Sequence, residues 1–204
     1  MRDPAAARRA WLAVIARDGW HAARADAAAA EAGMALADLL ALAGDPVDVV
    51  SALLRQVGAE SVAGAAGDGA PRDRLFDGIM RGLDVLQGER AAVLALADAR
   101  DPGLVALVAA HAGQSARRLL CAAGVGTTGP AGLVRQAGLL AILARTFDVW
   151  RRDDSPDMAA TMAELDRLMA RAAAVAEGGI SRLLPDGPWR RDRATGEGPD
   201  PAAQ

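Results

Sequence analysis

Alanine fills a quarter of this chain, 51 of 204 residues, and that constrains the fold more than any other feature. Alanine loses no side-chain entropy in a helix, and arginine is nearly as good a helix former. All 23 basic residues are arginine, with no lysine. Sheets favour β-branched and aromatic side chains, and aromatics make up only 3% of the chain, with no tyrosine. The expectation is an all-α fold; a β-sandwich, a barrel and a collagen-like chain are excluded. A hydrophobic share of 52% is ample for a core and too high for a chain disordered over most of its length.

Glycine and proline cut the chain into about nine helical segments. The first runs from Pro4 to Asp18, with Trp11, Leu12 and Ile15 on one face and Gly19 as its stop. Two short segments follow, Ala25–Ala32 and Ala35–Ala43, separated by a tight turn at Gly33-Met34. Asp45-Pro46 opens a fourth helix expected to end near Ala59, and the Gly- and Ala-rich stretch 58–70 reads as a flexible junction. Five longer segments are expected over 72–87, 89–99, 102–123, 130–152 and, opened by Ser155-Pro156-Asp157, up to about 177. The implied organisation is a head over 1–44, a linker helix and junction over 45–70, a body over 71–177 and a disordered tail over 178–204, apart from a brief apolar patch at Ile180–Leu184.

Charge and cysteine content narrow the function classes. The net charge is −3, so the chain as a whole attracts phosphate weakly. A single cysteine, Cys121, excludes an internal disulfide framework and a Cys-based zinc site. No signal peptide is read at the N-terminus, and no apolar run approaches the roughly 20 residues that span a bilayer. A cytoplasmic protein without integral membrane contact is expected.

The short helix–turn–short helix, with Ile15-Ala16-Arg17-Asp18-Gly19-Trp20 before it and Ala29-Ala30-Glu31-Ala32-Gly33-Met34 within it, resembles the head of the tetracycline-repressor (TetR) family. The resemblance covers about residues 8–177. It implies a helix-turn-helix head that reads operator DNA, a linking fourth helix, and a helical body that binds a ligand and forms a homodimer through its last two long helices. Ala137, Ala144, Leu165 and Met169 are the interface candidates on those two helices. A second resemblance lies in the body. Ala122-Ala123-Gly124, a long apolar helix ending in Trp150, Asp153-Asp154-Ser155-Pro156-Asp157, Thr161 and Leu165-Asp166-Arg167 are similar to the lipid-binding accessory proteins of coenzyme Q biosynthesis. Those have a repressor fold and do not act on DNA; the likeness implies a lipid or isoprenoid ligand.

The residues of the head pull against a DNA role. A reading helix needs polar or basic side chains to reach base edges. This one offers Ala35, Leu36 and Asp38, and over 1–44 five arginines and five acids cancel. Arg8, Arg9 and Arg24 remain as phosphate contacts; a pure packing module is the competing reading. In the body, Leu83, Leu107, His111 and Phe147 are candidates to line an apolar pocket, with Met80, Met162 and Met169 either core or an adaptable wall. His111 alone reads as a hydrogen-bonded core residue and Cys121 as a small core side chain. No nucleophile–base–orienter set is present, so no enzyme, no cofactor and no metal are expected. Asp153–Asp157 reads as a helix start capped by Ser155 rather than a metal site. Gly124–Gly129 reads as an inter-helix turn, since it lacks the basic residue and strand of a phosphate loop.

Overall fold

A computed structural model of the chain describes residues 3–177. The expected tail over 178–204, with its apolar patch, lies outside them. Nine α-helices and no strand occur among the described residues: α1 (Pro4–Asp18), α2 (Ala25–Ala32), α3 (Leu36–Ala43), α4 (Pro46–Ala65), α5 (Pro71–Gly88), α6 (Arg90–Asp98), α7 (Pro102–Ala122), α8 (Gly129–Trp150) and α9 (Ala159–Glu177). Residues up to Met169 form one compact unit; the second begins at Ala170, and only the last residues of α9 are described in it.

Helix starts follow the local chemistry. Proline stands in the first turn of α1, α4, α5, α7 and α8, where its missing N–H costs nothing. The carboxylates of Asp3, Asp45 and Asp101 accept the amide protons of Ala5, Asp48 and Leu104 at 2.8–2.9 Å. Asp48 returns the bond to the amide of Asp45, a reciprocal cap. Between α2 and α3 the chain reverses at Gly33, whose φ of 62° is left-handed, a conformation open to glycine at little cost.

Trp11, Val14 and Ile15 of α1 are buried against Ala28 and Ala29 of α2, Leu39 of α3 and Val49 and Val50 of α4 in one hydrophobic cluster. α1 also packs on α6, so the head shares its core with the body. α4 runs along both α5 and α7, and it continues to Ala65, six residues past the expected end. The reason is packing. A Cβ on Gly64 would lie 2.9 Å from the Gly78 Cα, and one on Gly78 would lie 2.6 Å from the Ser61 carbonyl. The small residues that look like a junction in sequence let α4 and α5 touch backbone to backbone. Arg74 then donates to the carbonyl ends of both α4 (Ala65 O, 2.8 Å) and α7 (Ala122 O), filling acceptors that a helix terminus leaves open.

The α8–α9 connection also differs from expectation. α9 starts at Ala159, not at Ser155, and Met158 before it has a positive φ of 53°. The main cap is Asp153. This buried carboxylate accepts from Ser155 N (3.2 Å), Ser155 Oγ (2.5 Å), Thr161 N (2.8 Å) and Thr161 Oγ1 (2.7 Å). Those bonds, led by the Ser155 hydroxyl, hold it well below the usual carboxylate range. Ser155 Oγ accepts only the Ala159 amide, at 3.0 Å. Just upstream, fully buried Trp150 donates Nε1–H to Gln87 Oε1 at 2.9 Å, and Arg90 lies 4.6 Å over its ring while donating to its carbonyl.

Candidate ligand cavity and head surface

α4, α5, α7 and α8 do not close into a solid core. They leave a cavity of about 450 Å³, walled by Leu, Val, Ile, Ala and Phe side chains together with Ser61, His111, Ser115 and Thr146. Leu83 of α5, His111 of α7 and Phe147 of α8 stand on this wall. Leu107 does not; it packs, partly buried, on the core one turn nearer the start of α7. His111 has no hydrogen-bond partner among the described residues, contrary to the expectation of a bonded core histidine. Ser61 and Thr146 are buried polar residues that no sequence pattern marks. Of the methionines, Met169 is buried and Met80 packs partly buried on the core; none of the three named in sequence lines the cavity.

The head surface is built differently. Ala35 is exposed at the N-cap of α3, and Leu36 and Leu40 are 45% and 43% exposed, beside Val47 at 45%. Asp38 sits in the first turn of α3. The surface a reading helix would present is aliphatic. The arginines around it are engaged with acids: Arg24 with Asp26 at 3.0 Å, Arg9 with Asp3 at 3.6 Å, and Arg17 with Asp18 at 2.9 Å and Glu31 at 3.0 Å. The Arg24 bonds hold the Asp26 carboxyl below its ordinary value. Arg8 is exposed, and with Arg9 it borders a cleft of about 370 Å³ shared with Asp84 and Glu89.

The four interface candidates separate into two pairs. Ala137 and Ala144 are exposed on α8, on a helix that also exposes Leu133 (68%) and Val134 (55%). Leu165 is fully buried and Met169 is 4% exposed within the chain's own core, so neither offers a side chain to a partner. The α8 and α9 helices are tied by Glu164, which takes bonds from Arg167 and Arg145 and is drawn down to about 2 by them, Arg167 first. Cys121 is exposed rather than core, with Sγ 4.0 Å from Thr127 Oγ1. Gly124–Gly129 links α7 to α8, and Arg135 donates to the Gly126 carbonyl at 3.0 Å. The acids at 153–157 do not converge: Asp153 serves the cap, and Asp154 lies 3.6 Å from Arg90. Among the described residues no single helix is long and apolar enough to cross a membrane.

The sequence matches no protein-family model, and no curated protein is similar to it. The backbone is similar to the crystal structure of the TetR transcriptional regulator from Nitrosomonas europaea ATCC 19718, with a TM-score of 0.70 and 18% identity, over 84% of this chain and 98% of that one. Helix order, the short-helix pair near the N-terminus and the helical body thus converge on one conclusion: the chain has the TetR-type fold.

Proposed function

We propose that this protein is a TetR-like transcriptional regulator of the cytoplasm, a non-enzymatic homodimer that senses an apolar small molecule in its body. The observation that carries the reading is the cavity's position. α4 leaves the head at Pro46 and forms one wall of the cavity through Leu54, Val57 and Ser61. An occupant that favours one setting of α4 biases the head by its differential affinity for that setting. A second copy packs on the exposed face of α8 around Leu133, Val134 and Ala137, next to Ala144, which is exposed where it borders the cavity, because two-fold assembly buries the same patch twice. Light scattering tests the assembly: a dimer is expected, and Ala137→Arg returns the 20.9 kDa monomer.

DNA contact in this reading is made mostly to phosphate, by Arg8, Arg9 and Arg24, while Ala35, Leu36 and Asp38 supply little base reading. The test is binding of the purified protein to the DNA upstream of its own gene over a salt series. Each neutralised phosphate contributes about −0.9 to the slope of log affinity against log salt. Arg24→Ala is expected to weaken all sequences alike and to lower the slope by about one such unit.

A second reading is favoured by the head surface: a repressor-fold protein that holds a lipid or isoprenoid and has no DNA role. The aliphatic α3 face and the acid-paired arginines support it. No DNA binding at low salt, with ligand binding retained, decides for this second reading.

A further inference from the structure

The cavity wall carries four polar side chains, and none has a hydrogen-bond partner among the described residues. Ser61 of α4, His111 and Ser115 of α7 and Thr146 of α8 border the space, and no side chain among these four makes a hydrogen bond to the described residues. Thr146 stands apart from the other three. It is 1% exposed, and its Oγ1 is sealed from solvent and from the cavity alike, with nothing to bond. A threonine inside a helix can return its hydroxyl to the carbonyl one turn back; Thr146 does not. Native proteins rarely keep a buried hydroxyl unpaired, because its lost hydration is not replaced.

Space is kept for two of these hydroxyls. A Cβ on Gly58 would lie 2.6 Å from Ser115 Oγ, and one on Gly82 would lie 2.3 Å from Ser61 Oγ. Both serines are seated over glycines, and alanine at either position would push the hydroxyl away. The rest of the wall is hydrocarbon, with no Asp, Glu or Arg in it. A carboxylate or phosphate entering there would shed its water with no guanidinium to compensate. A pure hydrocarbon would leave the hydroxyls as they are.

We propose that the cavity binds an uncharged amphiphile: a hydrocarbon body carrying a hydroxyl or carbonyl oxygen, which pairs with the unpartnered polar groups it can reach on the wall, Ser61, His111 and Ser115. This rests on the reading of the cavity as the ligand site and adds the ligand's chemical class. A volume of about 450 Å³ falls within the range of small-molecule sites.

The experiment uses the full-length protein with the neutral probe N-phenyl-1-naphthylamine in the cavity. Displacement by 1-dodecanol, 2-dodecanone, 1-chlorododecane and dodecanoate is followed at pH 8. Dodecanol and dodecanone are expected to bind about tenfold more tightly than chlorododecane, the value of one net hydrogen bond, and more tightly still than dodecanoate. Ser61→Ala combined with Ser115→Ala removes most of the advantage over chlorododecane; Thr146→Val, which changes a hydroxyl sealed from the cavity, retains it. Ala112→Phe, which fills the space, displaces every probe. Dodecanoate binding as tightly as dodecanol, an unchanged preference in the Ser61→Ala, Ser115→Ala double variant, or no binding of any probe would overturn the proposal. The two readings fail separately. Probe binding that leaves DNA affinity unaltered removes the regulator and keeps the amphiphile site. DNA binding without probe binding does the reverse.

Discussion

Two turns in this molecule each join a pair of helices, and they are held by opposite means. The α2–α3 turn is held by its own backbone: a left-handed Gly33, with Gly33 N and Met34 N returning to Ala30 O and Ala29 O at 3.1 and 3.0 Å. The α8–α9 connection is held by side chains: its own buried Asp153 carboxylate taking four bonds and, from α5 and α6, Gln87 bonded to the Trp150 indole and Arg90 stacked on it. A local turn needs only local residues, so many sequences can make it. A turn held by distant partners needs all of them at once, so the residues of the second joint are far less replaceable.

Removing the Asp153 carboxylate should separate the two turns most clearly. Asp153→Ala leaves Thr161 Oγ1 and two amides without an acceptor. A loss of about 3 kcal/mol is expected, or roughly 6–12 °C in Tm for a chain of this size. Thermal denaturation measures it. The effect is pH-dependent with a definite sign. The folded carboxyl lies below its unfolded value, so its contribution is complete above the unfolded pKa of about 3.9 and fades as pH falls further. The gap between wild type and Asp153→Asn should therefore narrow in acid, below about pH 4; a gap that widens there would show that the carboxylate is not the anchor.

Trp150→Phe comes next. It keeps a ring beneath Arg90 and deletes the bond to Gln87, for an expected loss of about 2 kcal/mol in urea titration. In the first turn, Gly33→Ala should cost about 1 kcal/mol from backbone strain alone, because a Cβ there meets nothing within 4 Å. A larger loss would mean that this turn also depends on distant contacts. The smallest effect belongs to the α3 face: Leu36→Ser should change stability by less than about 0.5 kcal/mol, since Leu36 is 45% exposed.

The same contrast explains what could be read in advance. Helix starts at Pro4, Pro46 and Pro102 and the stops at Gly19, Gly33 and Gly44 are local rules, and the chain obeys them. Ala25–Ala32 is matched at both ends for that reason. The end of α4 is set by a tertiary contact, Gly64 against Gly78, and the start of α9 by a side-chain cap that reaches eight residues, Asp153 to Thr161; no periodicity encodes either. The site divides likewise. Leu83 and His111 lie on helical stripes, but Leu107 shares the stripe of His111 and misses the wall, so spacing narrows the lining without fixing it. Ser61 and Thr146 carry no such mark, since a buried hydroxyl and an exposed one look alike in a helix. Leu165 and Met169 share a face that suits a partner or a core equally well, and only the packed chain distinguishes the two.

The stack of Phe147 on Trp150, with ring centroids 5.4 Å apart, has an optical consequence. Phe147 touches the cavity and Trp150 does not, so an occupant that shifts the phenyl ring changes the surroundings of an indole it never meets. Trp11, equally buried, sits in the core formed with α2, α3 and α4, apart from that wall. Emission from Trp150 then reports on filling of the cavity, over a background from the chain's three other tryptophans, Trp11 among them. Replacing Trp11 with Phe would leave Trp150 as the dominant buried emitter, and the protein would register its own ligand in light without any attached dye.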